Sequence, residues 1–149
     1  NLIGVLTRNC RAERESFRSF LSSLSQAKAA VVDEADLNPA QAAGHDLLFC
    51  GLPRDRSLLP TGAAAVLPAG EGGEGDTLRF AVLQRSAPAK GVVALFEPGS
   101  EAAAAQYGPK VTHYGKYGYL LFSGGANRRK ATAPPADGEA MVRFAQPAP

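Results

Sequence analysis

The run Leu2-Ile3-Gly4-Val5-Leu6-Thr7, with the segments Arg11–Gln26 and Ala29–Asp33 that follow it, decides the fold class. The first run is short and almost wholly apolar, which suits a strand buried on both faces. Asn9 then offers a helix N-cap. In Arg11–Gln26 the apolar residues Phe17, Phe20, Leu21 and Leu24 recur at i, i+3, i+4 and i+7, with Glu13, Arg14, Arg18 and Ser22 elsewhere. That spacing predicts an amphipathic helix. Ala29–Asp33 reads as a second strand, so the opening predicts a strand–helix–strand unit with a right-handed parallel crossover.

The rest of the chain extends this reading. Asn38-Pro39 predicts a short helix or turn ending at Gly44, and His45–Gly51 a third strand stopped by Gly51 and Pro53. Ser57–Leu67 is ambiguous because Pro60 and Gly62 oppose a long helix. Pro68–Asp76, Gly-rich and acidic, is expected as a mobile surface loop. Thr77–Gln84 and Gly91–Phe96 read as strands joined through Ser86–Lys90, which implies an antiparallel step around residues 77–96. Ser100–Gln106 starts a helix capped by Ser100, and Tyr117–Phe122 is a strong strand ending at Gly124-Gly125. Met141–Phe144 is expected as an edge strand, and residues 146–149 as a frayed tail or linker. The expectation is one α/β domain over residues 1–145. Its form is a three-layer, mostly parallel sheet flanked by helices, of the flavodoxin/amidotransferase-like kind. Ligands of such sheets sit beyond the carboxyl ends of the strands.

Composition narrows the function. The chain has 149 residues, 16 Lys+Arg against 14 Asp+Glu, and a net charge of +2, too small a field for a dedicated nucleic-acid binder. Two His and two Cys are too few for most self-sufficient zinc sites, so neither a metal nor a cofactor is expected. No apolar run approaches the ~18 residues of a membrane helix, and membrane insertion is not expected. The chain starts at Asn1 and its single Met is Met141, so it reads as a processed protein or a domain cut from a longer one. No basic segment followed by an apolar one marks a signal peptide, and the compartment stays open. Cys10 and Cys50 allow one disulfide or none, with two free thiols favoured.

The candidate sites are few. Cys10, between Arg8 and Arg11 at an expected helix start, is placed where a thiolate is stabilised. A small semi-buried residue fits the position better, because neither Cys-x-x-Cys nor Cys-x5-Arg is present. Cys50, before Gly51, is a candidate nucleophile with His113 as its base, the arrangement of amidotransferase-like enzymes. Against it, the glycine two positions earlier is missing, Pro53 follows, and His113 precedes Tyr114 rather than leading to a nearby Glu. Thr112-His113-Tyr114-Gly115-Lys116-Tyr117-Gly118-Tyr119 is the most distinctive stretch. It offers an aromatic rim for a ligand or partner, or tyrosines that simply cover the sheet edge. Ser123-Gly124-Gly125-Ala126-Asn127-Arg128-Arg129-Lys130 lacks the P-loop pattern and reads as a Gly-Gly turn followed by a solvated basic run. Glu71, Glu74 and Asp76 lack EF-hand spacing and read as a solvated loop.

The stretch Lys110-Val111-Thr112-His113-Tyr114-Gly115-Lys116-Tyr117-Gly118-Tyr119-Leu120-Leu121-Phe122, with Gly124–Lys130 after it, resembles a known family. It is similar to the C-terminal α/β region of some bacterial aminopeptidase-N-like (gluzincin) zinc peptidases. That region carries His-Tyr-Gly-Lys-Tyr-Ser-Tyr, then Gly-Gly-x-Asn and a Lys. Asp46–Arg54 and Gly91–Phe96 are similar to it as well, so the resemblance covers the last two-thirds of the chain. This sequence departs from the pattern at Gly118, where the family has Ser. It departs again at Lys130-Ala131-Thr132-Ala133, where the family has Lys-Gly-x-Trp.

The resemblance implies a non-catalytic accessory or interaction domain of a larger, exported or periplasmic hydrolase. No zinc site carries over, because His45 and His113 are far apart and neither is followed by Glu. The expected partner is the rest of its own chain or another protein, with His113, Tyr114, Lys116, Tyr117 and Asn127 as candidate contacts. The alternative is a stand-alone amidotransferase-like enzyme using Cys50 and His113. A weaker third reading is small-anion binding at Asn9–Cys10 and Gly124–Asn127. The sequence does not set the oligomeric state.

Overall fold

The structure, a computed structural model, describes residues 2–10, 13–25, 29–63, 67–68, 70–86 and 91–132. Its centre is a seven-stranded sheet: β1 (Leu2–Leu6), β2 (Ala30–Asp33), β3 (Asp46–Cys50), β4 (Thr77–Gln84), β5 (Val92–Pro98), β6 (Tyr119–Ser123) and β7 (Ala126–Ala131). The spatial order is β2-β1-β3-β5-β4-β6-β7. β2, β1, β3 and β5 pair in parallel, and β5, β4, β6 and β7 pair antiparallel. The expected strand–helix–strand opening and the antiparallel step are present. The sheet is not mostly parallel, however, because β4 inserts beside β5 and the β6–β7 hairpin extends that antiparallel half. The candidate strand Met141–Phe144, the tail 146–149 and most of the Ser86–Lys90 connection lie outside the described residues.

Alternation along the strands builds two cores. Leu48, Cys50, Phe80, Phe96, Leu120 and Phe122 face helices α1 (Arg14–Leu24) and α3 (Glu101–Val111). The helices contribute Phe17, Phe20, Leu21, Ala104, Tyr107 and Val111, and Phe20 stacks on Phe96 at 4.7 Å. On the other face Ile3, Val5, Leu47, Phe49, Val93 and Leu95 pack beneath the short helix α2 (Pro39–Gly44) and the segment 57–63. Strands β3 and β5 are covered on both faces, which is why their sequences are continuous apolar runs. α2 starts at a complete capping box, Asn38 with Gln41.

Three glycines act through close approach or turn geometry. A Cβ at Gly4 would lie 2.8 Å from Leu21 Cδ2 and 3.2 Å from Phe17 Cε2, so the bare backbone lets α1 settle on β1. Gly124 and Gly125, at φ 58° and 82°, form the two-residue loop of the β6–β7 hairpin, and positive φ at both positions is the pattern of a type I′ turn, which matches the strand twist. The basic run after that turn is exposed, as expected, and forms the last strand of the sheet among the described residues.

The Gly-rich acidic segment is not a free loop. Glu71 accepts from Tyr119 Oη and pairs with Arg129. Asp76 accepts from Tyr107 Oη at 2.7 Å and from Gly124 N at 2.8 Å. Gly72 lies against Arg79, and Gly73 against Glu97. Glycines at positive φ let this segment fold back so that its carboxylates reach the tyrosines of the sheet.

Candidate functional site

In a sheet ordered β2-β1-β3, the chain leaves β1 to one side and β3 to the other. The crevice between their carboxyl ends is where such sheets hold ligands. Here a disulfide crosses that place, beside a cleft lined at the same strand ends by Leu6, Thr7, Arg8, Asp33 and Arg54. Cys10 and Cys50 form a disulfide with Cα atoms 5.5 Å apart, and both are buried. Thr7 donates from Oγ1 to the Cys50 carbonyl at 2.7 Å, and Cys10 N donates to the Thr7 carbonyl at 3.0 Å. Gly51, at φ 83°, turns the chain so that its N–H donates to the Phe96 carbonyl at 2.8 Å. A Cβ there would meet Thr7 Oγ1 at 2.6 Å.

This overturns the expectation of two free thiols. Helix α1 begins at Arg14, and Cys10 belongs to the turn held by Thr7, so Cys10 is not at a helix N-terminus. The Cys50–His113 pairing fails on two grounds. Cys50 is bonded to Cys10 and has no thiol to activate. It also ends β3, whereas His113 is exposed on the turn Thr112–Tyr114. The neighbours of His113 on that turn, Thr112 and Tyr114, line a groove with Leu2, Asp46 and Val92, at the opposite ends of the parallel strands. At about 3.3 Å per residue, the length of a five-residue strand separates the two ends.

The remaining candidates do converge in part. Tyr114 and Tyr117 line a groove of about 970 Å³ between the ends of α1 and α3, together with Leu24, Val82, Val111 and His45. Leu24 is 45% exposed, the one large apolar side chain open to solvent among the described residues. Tyr117 itself is buried, with Lys116 Nζ 5.2 Å and Lys130 Nζ 5.4 Å from its ring centroid. Tyr114 is half-buried and packs edge-on to Phe122. Tyr119 is core, with its hydroxyl on Glu71, and burial pushes its pKa well above the ordinary tyrosine value. Asn127 serves the hairpin: its Nδ2 donates to the carbonyls of Leu121 and Arg129 across the register shift at Leu121/Phe122.

A second cleft, of about 1380 Å³, opens on the α2 face between Leu37, Ala42 and Leu58, with Arg8, Asp33 and Arg54 at its rim. Glu34 spans this rim, accepting the backbone N–H groups of Arg54 at 3.0 Å and Asp55 at 2.9 Å. Nearby, Asp55 accepts from the Ser57 hydroxyl and backbone, which holds its carboxyl below the usual range. Among the described residues no group of three or more His, Cys, Asp or Glu is arranged to hold a metal ion. No helix there is long and apolar enough to cross a membrane.

Sequence reasoning missed two polar constellations. Arg79 and Glu97, both buried, face each other across β4 and β5, with Nε–Oε1 at 2.8 Å and Nη2–Oε1 at 2.7 Å. Arg79 Nη1 also donates to the Pro68 carbonyl at 2.7 Å. The signal was present as one charge inside each of two apolar strands, Leu78-Arg79-Phe80 and Phe96-Glu97-Pro98. The second constellation is Tyr107, whose hydroxyl donates to Asp76 and accepts from Gly125 N at 2.7 Å, tying α3, the acidic loop and the hairpin turn together. No family model matches the chain, and comparison with curated proteins and with solved structures finds no match.

Proposed function

We propose that this chain is a non-catalytic accessory domain of a larger hydrolase, of the metallopeptidase kind suggested by the stretch from Lys110 to Lys130. The observation that carries the reading is the buried Cys10–Cys50 disulfide at the carboxyl ends of β1 and β3. It crosses the strand ends where an enzyme with this strand order holds its ligand, and it takes both sulfurs out of chemistry. We read the wound half, β2-β1-β3-β5, as flavodoxin/amidotransferase-like, with the antiparallel half appended. A buried structural disulfide also suits an oxidising, exported or periplasmic setting. The domain then works by contact, with its own parent chain or another protein.

The test compares the uninterrupted gene product with the same product lacking residues 2–132. Expected are zinc-dependent aminopeptidase turnover in both, and a shift in KM or thermal stability on removal. Hydrolysis of glutamine or peptide amides by the 149-residue chain alone, abolished in Cys50→Ala, would overturn the reading.

A further inference from the structure

We infer that the edge of β7 is a docking strip for an extended, acidic polypeptide segment of a partner. The strip is argued from local chemistry and stands whether or not the domain belongs to a hydrolase. β7 is last in the strand order and pairs only with β6 among the described residues. An edge strand offers a row of backbone donors and acceptors to an incoming strand. Along it Arg128, Arg129 and Lys130 are exposed.

Charge on the two faces of this edge differs. On one face Arg129 is already neutralised by Glu71. On the other, Lys110 lies over the Tyr107 ring and donates to the Gly125 carbonyl, while Lys116 and Lys130 share the Tyr117 ring. Among the described residues no carboxylate oxygen lies within 4 Å of Lys110, Lys116, Arg128 or Lys130. The aromatic rings thus concentrate like charges on one face of a chain whose net charge is only +2. A carboxylate arriving there relieves that repulsion at short range.

Cationic side chains on an edge discourage pairing with neutral or basic strands, and the same charges admit an acidic one. Since side chains of a strand alternate between faces, the fitting segment carries acidic residues at every second position, on the Tyr117 face. A nucleic acid would satisfy the charge but not the backbone edge.

The probe is a fluorescein-labelled peptide of alternating Thr and Glu, read by anisotropy against the 149-residue chain at low salt. Expected are saturable binding, protection of β7 amides from hydrogen exchange, and at least tenfold weaker binding by Lys116→Glu/Lys130→Glu with an unchanged melting curve. A peptide of the same charge interrupted by Pro, which cannot add a strand, is expected to bind at least tenfold more weakly. The inference is overturned by absence of binding, by equal binding of the Pro peptide, by an RNA oligomer of equal charge competing as well as the peptide, or by unchanged affinity in the double variant.

Discussion

Cys10 and Cys50 join the carboxyl ends of two adjacent parallel strands at the point where Leu6 and Cys50 stand opposite each other in register. The bond crosses the place where this strand order normally leaves room for a ligand. Its sequence separation of 40 implies about 4 kcal/mol of stabilisation through restriction of the unfolded chain. Cys10→Ala/Cys50→Ala is therefore expected to unfold at markedly lower urea. Reduction of the native protein under unfolding conditions should reproduce that midpoint. Coincident midpoints for oxidised, reduced and substituted forms would show that the bond contributes nothing.

The buried Arg79–Glu97 pair makes a second prediction. Removing one partner strands the other in the sheet, so Arg79→Met or Glu97→Met alone should each cost about 3–5 kcal/mol. Arg79→Met/Glu97→Met should recover much of the loss, because no uncompensated charge remains. A double-mutant cycle by urea denaturation checks this, and additive losses would refute it.

Gly4→Ala tests how tightly α1 sits on β1. The new methyl meets Leu21 and Phe17 inside normal contact distance, and overpacking of this kind costs about 1–3 kcal/mol. Pairing it with Leu21→Ala should cost less than the sum of the two single changes. A Gly4→Ala protein as stable as the parent would mean that the helix rides freely over the strand.

Tyr119 gives the chain an alkaline limit. Burial, first, and then the Glu71 carboxylate raise its pKa, and burial raises that of Tyr107 too. A folded-state pKa above the unfolded one means stability that is complete below pH ~10 and is lost as pH rises through the folded value. Urea midpoints from pH ~8 to ~11 should fall faster in the parent than in Tyr119→Phe. Parallel pH curves for the two proteins would contradict the assignment.

Much of the fold was legible because its strands and main helix obey single-period rules. Phe17, Phe20 and Leu21 marked the buried face of α1, and the apolar runs of β3 and β5 marked strands covered on both sides. β7 was not legible: Asn127-Arg128-Arg129-Lys130 has no apolar alternation, and its strand state is imposed by pairing with β6 across the Gly124-Gly125 turn. The anchoring of the exposed acidic loop was not legible for a related reason. Its order comes from Tyr107, Tyr119 and Arg129, which are distant in sequence.

The candidate site divides in the same way. Tyr114 and Tyr117 were marked by their local sequence as a pair, and they line one groove, with Tyr117 buried and Tyr114 half-buried. Pairing Cys50 with His113 required knowledge of which strand ends adjoin, and composition carries none. Nothing in the spacing of Cys10 and Cys50 distinguished a bond from two thiols; only the parallel register of β1 and β3 brings them together.

The Cys10–Cys50 bond also makes α1, β2, α2 and β3 part of a single covalent ring. β2, the shortest strand and an outer one, with exposed residues at both its ends, lies within that ring. A protease that cuts one peptide bond between the two cysteines therefore releases nothing. The nicked chain migrates as an intact molecule until a reductant opens the ring, and only then do two fragments separate.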